Sequence, residues 1–193
     1  KPDLMCLAKG ITSGYLPMGA VMVGDRVAKV LVEEGGEFNH GFTYSGHPVA
    51  CAAALKNIEI IQREQLLQRV QQLGPYFQQQ MKTLEDLPIV GQVRGMQLMV
   101  CVENVRCKKT NALFPEELDI GKRIADHAET LGLIVRPIVH LNVMSPPLTI
   151  SRSQIDDIVA TLRKAIELTI NDLYAEGHLP RSQAHNKTNS ICA

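Results

Sequence analysis

KPDLMCLAKGITSGYLPMGAVMVG, residues 1–24, is the stretch from which the rest of the chain can be read. Leu4 to Ala8 is a short apolar run that reads as a buried strand closing on a polar residue, Lys9. Gly10, Gly14 and Gly19, with Pro17, then supply a loop rich in backbone freedom, and Ala20 to Val23 reads as a second strand. A lysine at the end of a buried strand, facing a glycine-rich loop, is well placed to meet a cofactor. By residue type alone a solvated strand-end charge is the commoner role, because lysine is almost never fully buried without a partner.

Composition sets the outer bounds. A chain of 193 residues can bury one sizeable core, or two lobes sharing a helix. Its 45% hydrophobic and 21% charged content is ordinary for a globular protein. Twenty basic and twenty acidic residues cancel, so no basic field points to nucleic acid or to an anionic membrane. No apolar run approaches the ~20 residues needed to span a bilayer. The amino end lacks the blocks of a signal peptide. Five cysteines include no CxxC pair, and six histidines show no metal-ligand spacing, so no metal site is expected. Cys6 and Cys51 lie in apolar runs and read as reduced core residues, which favours an intracellular compartment. The sequence opens at Lys1 without a methionine and enters a strand almost at once, which reads as a piece of a longer chain.

Beyond the second strand, Asp25 can cap a helix carrying Val27, Val30 and Leu31, and Gly35-Gly36 stops it. EFNHGFTYSGHPVA, residues 37–50, reads as a loop with three hydroxyl residues, Thr43, Tyr44 and Ser45, ahead of a helix whose first turn holds Pro48. Such a loop suits an anion, since free N–H groups and the helix dipole favour negative charge. It equally suits Thr43 and Ser45 as plain helix caps. Helical spacing runs from Leu55 to Leu84, with Gly74-Pro75 predicting a break or kink. After Pro88, VGQVRGMQLMVCVE predicts strands of a second sheet, and residues 104–115 a polar loop with a solvated basic patch at Arg106, Lys108 and Lys109. Leu118 to Leu131 predicts a helix ended by Gly132, LIVRP a strand ending at Arg136, and LNVM a strand meeting Pro146-Pro147. Ser151 and Gln154 form a capping box for a last helix, and residues 177–193 read as a polar, mobile tail.

KPDLMCLAKGITSGYLPMGAVMVGDRV, GFTYSGHPVACAAAL, VGQVRGMQLMV, GLIVRP and SPPLTISRSQID follow one another in this order. Together they resemble the carboxy-terminal part of a class III pyridoxal-phosphate aminotransferase, of the omega-amino-acid, putrescine or amine:pyruvate branch, over residues 1 to about 174. The resemblance implies an α/β chain of the fold type I class. Residues 1–62 would be the end of a large domain with a mainly parallel sheet, 63–174 a small carboxy-terminal α/β domain, and 175–193 the tail. It implies pyridoxal 5'-phosphate as cofactor. Lys9 matches the lysine that forms a Schiff base with it. Thr43 matches a residue binding the cofactor phosphate of the neighbouring subunit. Arg136 matches an arginine that binds a substrate carboxylate and swings aside for uncharged amines.

The expected reaction moves an amino group from a primary amine or omega-amino acid to a 2-oxo acid such as pyruvate, in a cytoplasmic homodimer with neither nucleic acid nor membrane as partner. The residue types suit it: an amine for the aldehyde, a neutral hydroxyl for phosphate, a planar fork for carboxylate. Val139 and His140 depart from the family's glycine and small or polar residue. Valine there predicts a different loop path, since φ > 0 is costly for a β-branched residue, and His140 reads as a surface-loop histidine. The family's phosphate-cradling loop, ring-stacking aromatic and ring-pairing aspartate do not occur in these residues, so the chain alone is expected not to be a competent transaminase. The alternative is a non-catalytic remnant acting through protein contacts.

Overall fold

The computed structural model describes residues 1–33, 35 and 38–180, arranged as two compact units, Lys1–Gln65 and Leu66 onward. No helix among the described residues is long and apolar enough to cross a membrane.

In the first unit β1 (Leu4–Leu7) and β2 (Ala20–Val23) pair antiparallel, Leu4 opposite Val23 and Leu7 opposite Ala20. The loop between them turns through a short 3-10 segment, Lys9–Ile11. Helix α1 (Asp25–Glu33) starts from Gly24, whose carbonyl takes the N–H groups of Val27 and Ala28, so Asp25 is the first helical residue rather than the cap. Gly35 follows with φ +72, and Gly36 lies outside the described residues. Helix α2 (Pro48–Arg63) completes the unit, with Ala50 and Ala54 on its buried face. Apart from these alanines and Thr12, little is buried here. β1 is exposed rather than buried, with Leu4 56% accessible, because a two-stranded ribbon has no second layer to close on. For the same reason Cys6 is exposed and Cys51 half-buried, not core residues.

The second unit holds the hydrophobic core. Helix α3 (Leu66–Lys82) begins just after Gln65, whose φ of +51 breaks the chain away from α2. It then runs through Gly74-Pro75, where the sequence predicted an interruption. Strands β3 (Val90–Met96) and β4 (Met99–Asn104) form a hairpin, α4 (Ile120–Thr130) follows, then β5 (Arg136–Ile138), β6 (Leu141–Met144) and α5 (Arg152–Ala175). The strand order is β3-β4-β6-β5, antiparallel throughout. Parallel pairing, which the resemblance implies for the large domain, does not occur among the described strands.

Strand periodicity sorts this sheet into two faces. Val93, Val100, Val102, Asn104, Asn142 and Met144 are buried against α3, α4 and α5, whereas Arg94, Cys101, Glu103 and Val143 point the other way. α5 contributes Ile155, Val159, Leu162, Ile166, Ile170 and Leu173, each worth about 1.5–3 kcal/mol when buried. Its amino end carries the predicted capping box, Ser151 Oγ accepting from Gln154 N–H at 3.2 Å and Gln154 Oε1 from Ser151 N–H at 2.9 Å. The predicted tail is ordered further than expected. Leu179 is buried and its N–H, with that of His178, bonds to Leu173 O, while residues 181–193 lie outside the described residues. Lys108 is not merely solvated, since its ammonium caps the carbonyls of Glu85 and Leu87.

Candidate active site

Lys9 opens the 3-10 turn at the end of β1 with φ +53, in the left-handed region that non-glycine residues seldom enter. The turn is held by Thr12 N–H to Lys9 O at 3.4 Å and by Asn57 of α2, whose Nδ2 donates to Gly10 O at 2.8 Å and Ile11 O at 3.2 Å. Thr12 is itself buried and donates to Leu16 O at 2.6 Å. The backbone under the lysine is therefore anchored at several points. The side chain is exposed and makes no hydrogen bond or ion pair among the described residues.

Thr43 lies in the turn ahead of α2, exposed, its hydroxyl unpartnered among the described residues. The plain capping role does not hold. The N-cap is His47, which makes no side-chain cap, and Ser45 Oγ instead accepts the Phe42 N–H within its own turn at 2.9 Å. No side chain caps the amino end of α2, where Pro48 has no N–H to satisfy. An open cavity of ≈ 580 Å³ lies between Leu16–Gly19 and this turn, bordered by Phe42, Tyr44, Ser45 and His47. Neither Lys9 nor Thr43 lines it. Asn57, which holds the lysine turn, sits nine residues along α2 from Pro48, or about 13 Å down the axis at 1.5 Å per residue. No hydrogen bond or ion pair joins Lys9 to Thr43 among the described residues.

Arg136 begins β5, one of the sheet's two edge strands, where the sequence placed the end of a strand. Its cross-strand partner is Val143, which pairs with Cys101, which pairs with Arg94. All four therefore share the open face of the sheet. Arg94 is neutralised by Glu103, whereas the exposed Arg136 has no hydrogen-bond or ion-pair partner among the described residues. Burial pushes the Cys101 thiol up from its ordinary pKa, against the weaker pull of Arg94.

The sequence misjudged the turn after β5. Val139 does adopt φ +49 rather than taking another path, and His140 is buried, at 9% exposure. The N–H and Nδ2 of Asn104 both donate to His140 O, at 2.9 and 2.8 Å, and Gly121 N–H donates to Val139 O at 2.7 Å. Asn104 and Asn142, both fully buried, escaped the sequence reading; an asparagine within an alternating strand was the available signal. No cluster of metal-ligating side chains occurs among the described residues.

The chain belongs to the class-III aminotransferases, whose family profile matches residues 1–166. It is 45% identical over 169 residues to a putrescine–pyruvate aminotransferase of Pseudomonas aeruginosa, covering 87% of this chain and 37% of that protein. Among solved structures, an (S)-enantioselective omega-transaminase from Thermomicrobium roseum is 44% identical with a TM-score of 0.80, covering 90% of this chain and 38% of its own. A PMP-bound aminotransferase from Vibrio fluvialis is 37% identical with a TM-score of 0.84, covering 89% and 39%. The chain thus spans about two fifths of the length of the relatives it matches. Class-III aminotransferases depend on pyridoxal phosphate, and among the described residues Lys9 fits that group, since its amine is exposed and has no partner.

Proposed function

We propose that these residues serve an aminotransferase that takes the amino group of a primary amine or omega-amino acid and passes it to a 2-oxo acid such as pyruvate. The observation that carries the reading is Lys9: unpaired, exposed, and held at φ +53 on a turn anchored by Asn57. Lys9 Nζ would hold pyridoxal phosphate covalently and, once displaced by the incoming amine, move a proton at the substrate carbon. When bound, the cofactor supplies the aldehyde for attachment and the electron-withdrawing ring. Thr43 would donate its hydroxyl to a phosphate oxygen beside the uncapped N–H groups of α2, adding no charge. Arg136 would take a carboxylate bidentately and, having no partner to leave, turn aside for uncharged amines.

Within this reading Thr43 serves the cofactor of a neighbouring subunit, in a homodimer. The exposed apolar side chains of the first unit, Phe42 and Tyr44 at 80% among them, suit such a contact. We assign residues 1–62 to the end of a large cofactor domain and 63–174 to a small domain. A cytoplasmic location follows as part of the same reading, consistent with soluble amine and oxo-acid substrates. Because the chain spans two fifths of its relatives' length, the assignment concerns the part its own residues play. The putrescine–pyruvate activity named for the Pseudomonas relative supports the donor and acceptor classes.

Incubation with pyridoxal phosphate, borohydride reduction and peptide mapping tests the reading. The adduct is expected on the peptide holding Lys9 and is lost in Lys9→Arg. Reduction products spread over other lysines, with Lys9 unlabelled, would refute it.

A further inference from the structure

We propose that Asn104 is a positioning residue that locks the register of the β5–β6 hairpin and so keeps Arg136 on the open face of the sheet. The inference rests on reading Arg136 as the carboxylate site. β5 has little register of its own. It is three residues long, pairs on one side only, and its middle residue is Pro137, which has no N–H to give. A slip of one residue would turn Arg136 onto the face packed against the helices. The register must come from the turn, and the turn is strained. Val139, β-branched, sits at φ +49, a conformation that persists only where its surroundings over-determine it.

Asn104 supplies much of that determination. Fully buried at the end of β4, it grips His140 O with both its N–H and its Nδ2, and Nδ2 also donates to Asn142 Oδ1 at 2.9 Å. Asn142 Nδ2 passes the hold to Gly121 O at 2.8 Å, and Gly121 N–H returns it to Val139 O. Asn104 Oδ1 meanwhile has no partner among the described residues. A buried acceptor left unmatched is costly, and an apolar residue filling the same space would avoid it. What the asparagine adds is the grip on the turn.

The test follows the chain by 15N NMR, with glutarate as the carboxylate probe and thermal melting in parallel. In the unaltered chain, glutarate shifts the Arg136 Nε–Hε signal, and a cross-strand Arg136–Val143 contact is seen. Asn104→Ala is expected to lose that contact and to bind glutarate several-fold more weakly. Adding Val139→Gly restores both, because glycine holds the left-handed turn without strain and needs no clamp. An Asn104→Ala chain that melts lower yet keeps the contact and the affinity overturns the proposal, as does a double variant without rescue. If glutarate never moves Arg136 while the contact still depends on Asn104, the carboxylate reading fails and the register lock stands.

Discussion

Gly121→Ala tests how tightly α4 is seated on the β5–β6 turn. A Cβ on Gly121 would meet Leu141 O at 2.6 Å and Val139 O at 2.9 Å. Both are backbone atoms, so neither can swing away, and α4 or the turn must move. Overpacking of this kind costs about 1–3 kcal/mol. The movement also stretches two bonds, Gly121 N–H to Val139 O at 2.7 Å and Asn142 Nδ2 to Gly121 O at 2.8 Å. Each contributes about 1 kcal/mol. Against these stands the helix preference of alanine over glycine, at most about 1 kcal/mol and less in a first turn. The balance is a destabilisation of about 2 kcal/mol, or a melting point lower by roughly 10 °C for a unit of this size. Circular dichroism melts and urea titrations read it directly. A variant melting at or above the unaltered chain, as helix propensity alone requires, would refute the close seating of α4.

Asn57→Ala removes both side-chain bonds to the Lys9 turn and should raise amide exchange at Gly10 to Ser13 while lowering the yield of the borohydride adduct on Lys9; unchanged exchange would mean the turn is held elsewhere. Ser151→Ala breaks the capping box of α5 and should cost about 1 kcal/mol in urea unfolding, with Ser151→Asp largely restoring it. Arg123 holds the Glu176 carboxyl below its ordinary 4.5 through a bidentate pair. A lowered folded pKa means the contribution is complete above pH 4.5 and fades as pH falls through the folded value. Glu176→Gln should therefore flatten the acid limb of the stability profile and leave a smaller difference from the unaltered chain at the lowest pH; parallel curves across that range would count against it. The pair is partly exposed, so the effect should be small.

Elements with a local cause were legible in the sequence. The capping box sets the start of α5 through side-chain bonds three residues apart, and Gly132, at φ +88, follows α4 as expected. Lys9, Thr43 and Arg136 were proposed from their order along the chain, and each carries a polar group without a partner among the described residues. The misreadings share one cause, which is that the deciding neighbour lies far off in sequence. Gly74 looked like a helix break, yet α3 continues through it; a Cβ there would sit 2.7 Å from Gln97 Cα, so the glycine admits the tip of the β3–β4 hairpin. Helix α2 ends instead near Gln65, which carries no breaker signature.

His140 read as a surface residue because turns usually are. It is buried because Asn104 and the amino end of α4 close over that turn from two separate elements. By itself the sequence determined the family and the capped start of α5, since each is written in contiguous or ordered residues. Only the tertiary structure decided that Arg136 faces the open side of its sheet and that a strained Val139 is held in place. Those depend on register and on hydrogen bonds between residues up to 38 positions apart, which no local pattern records.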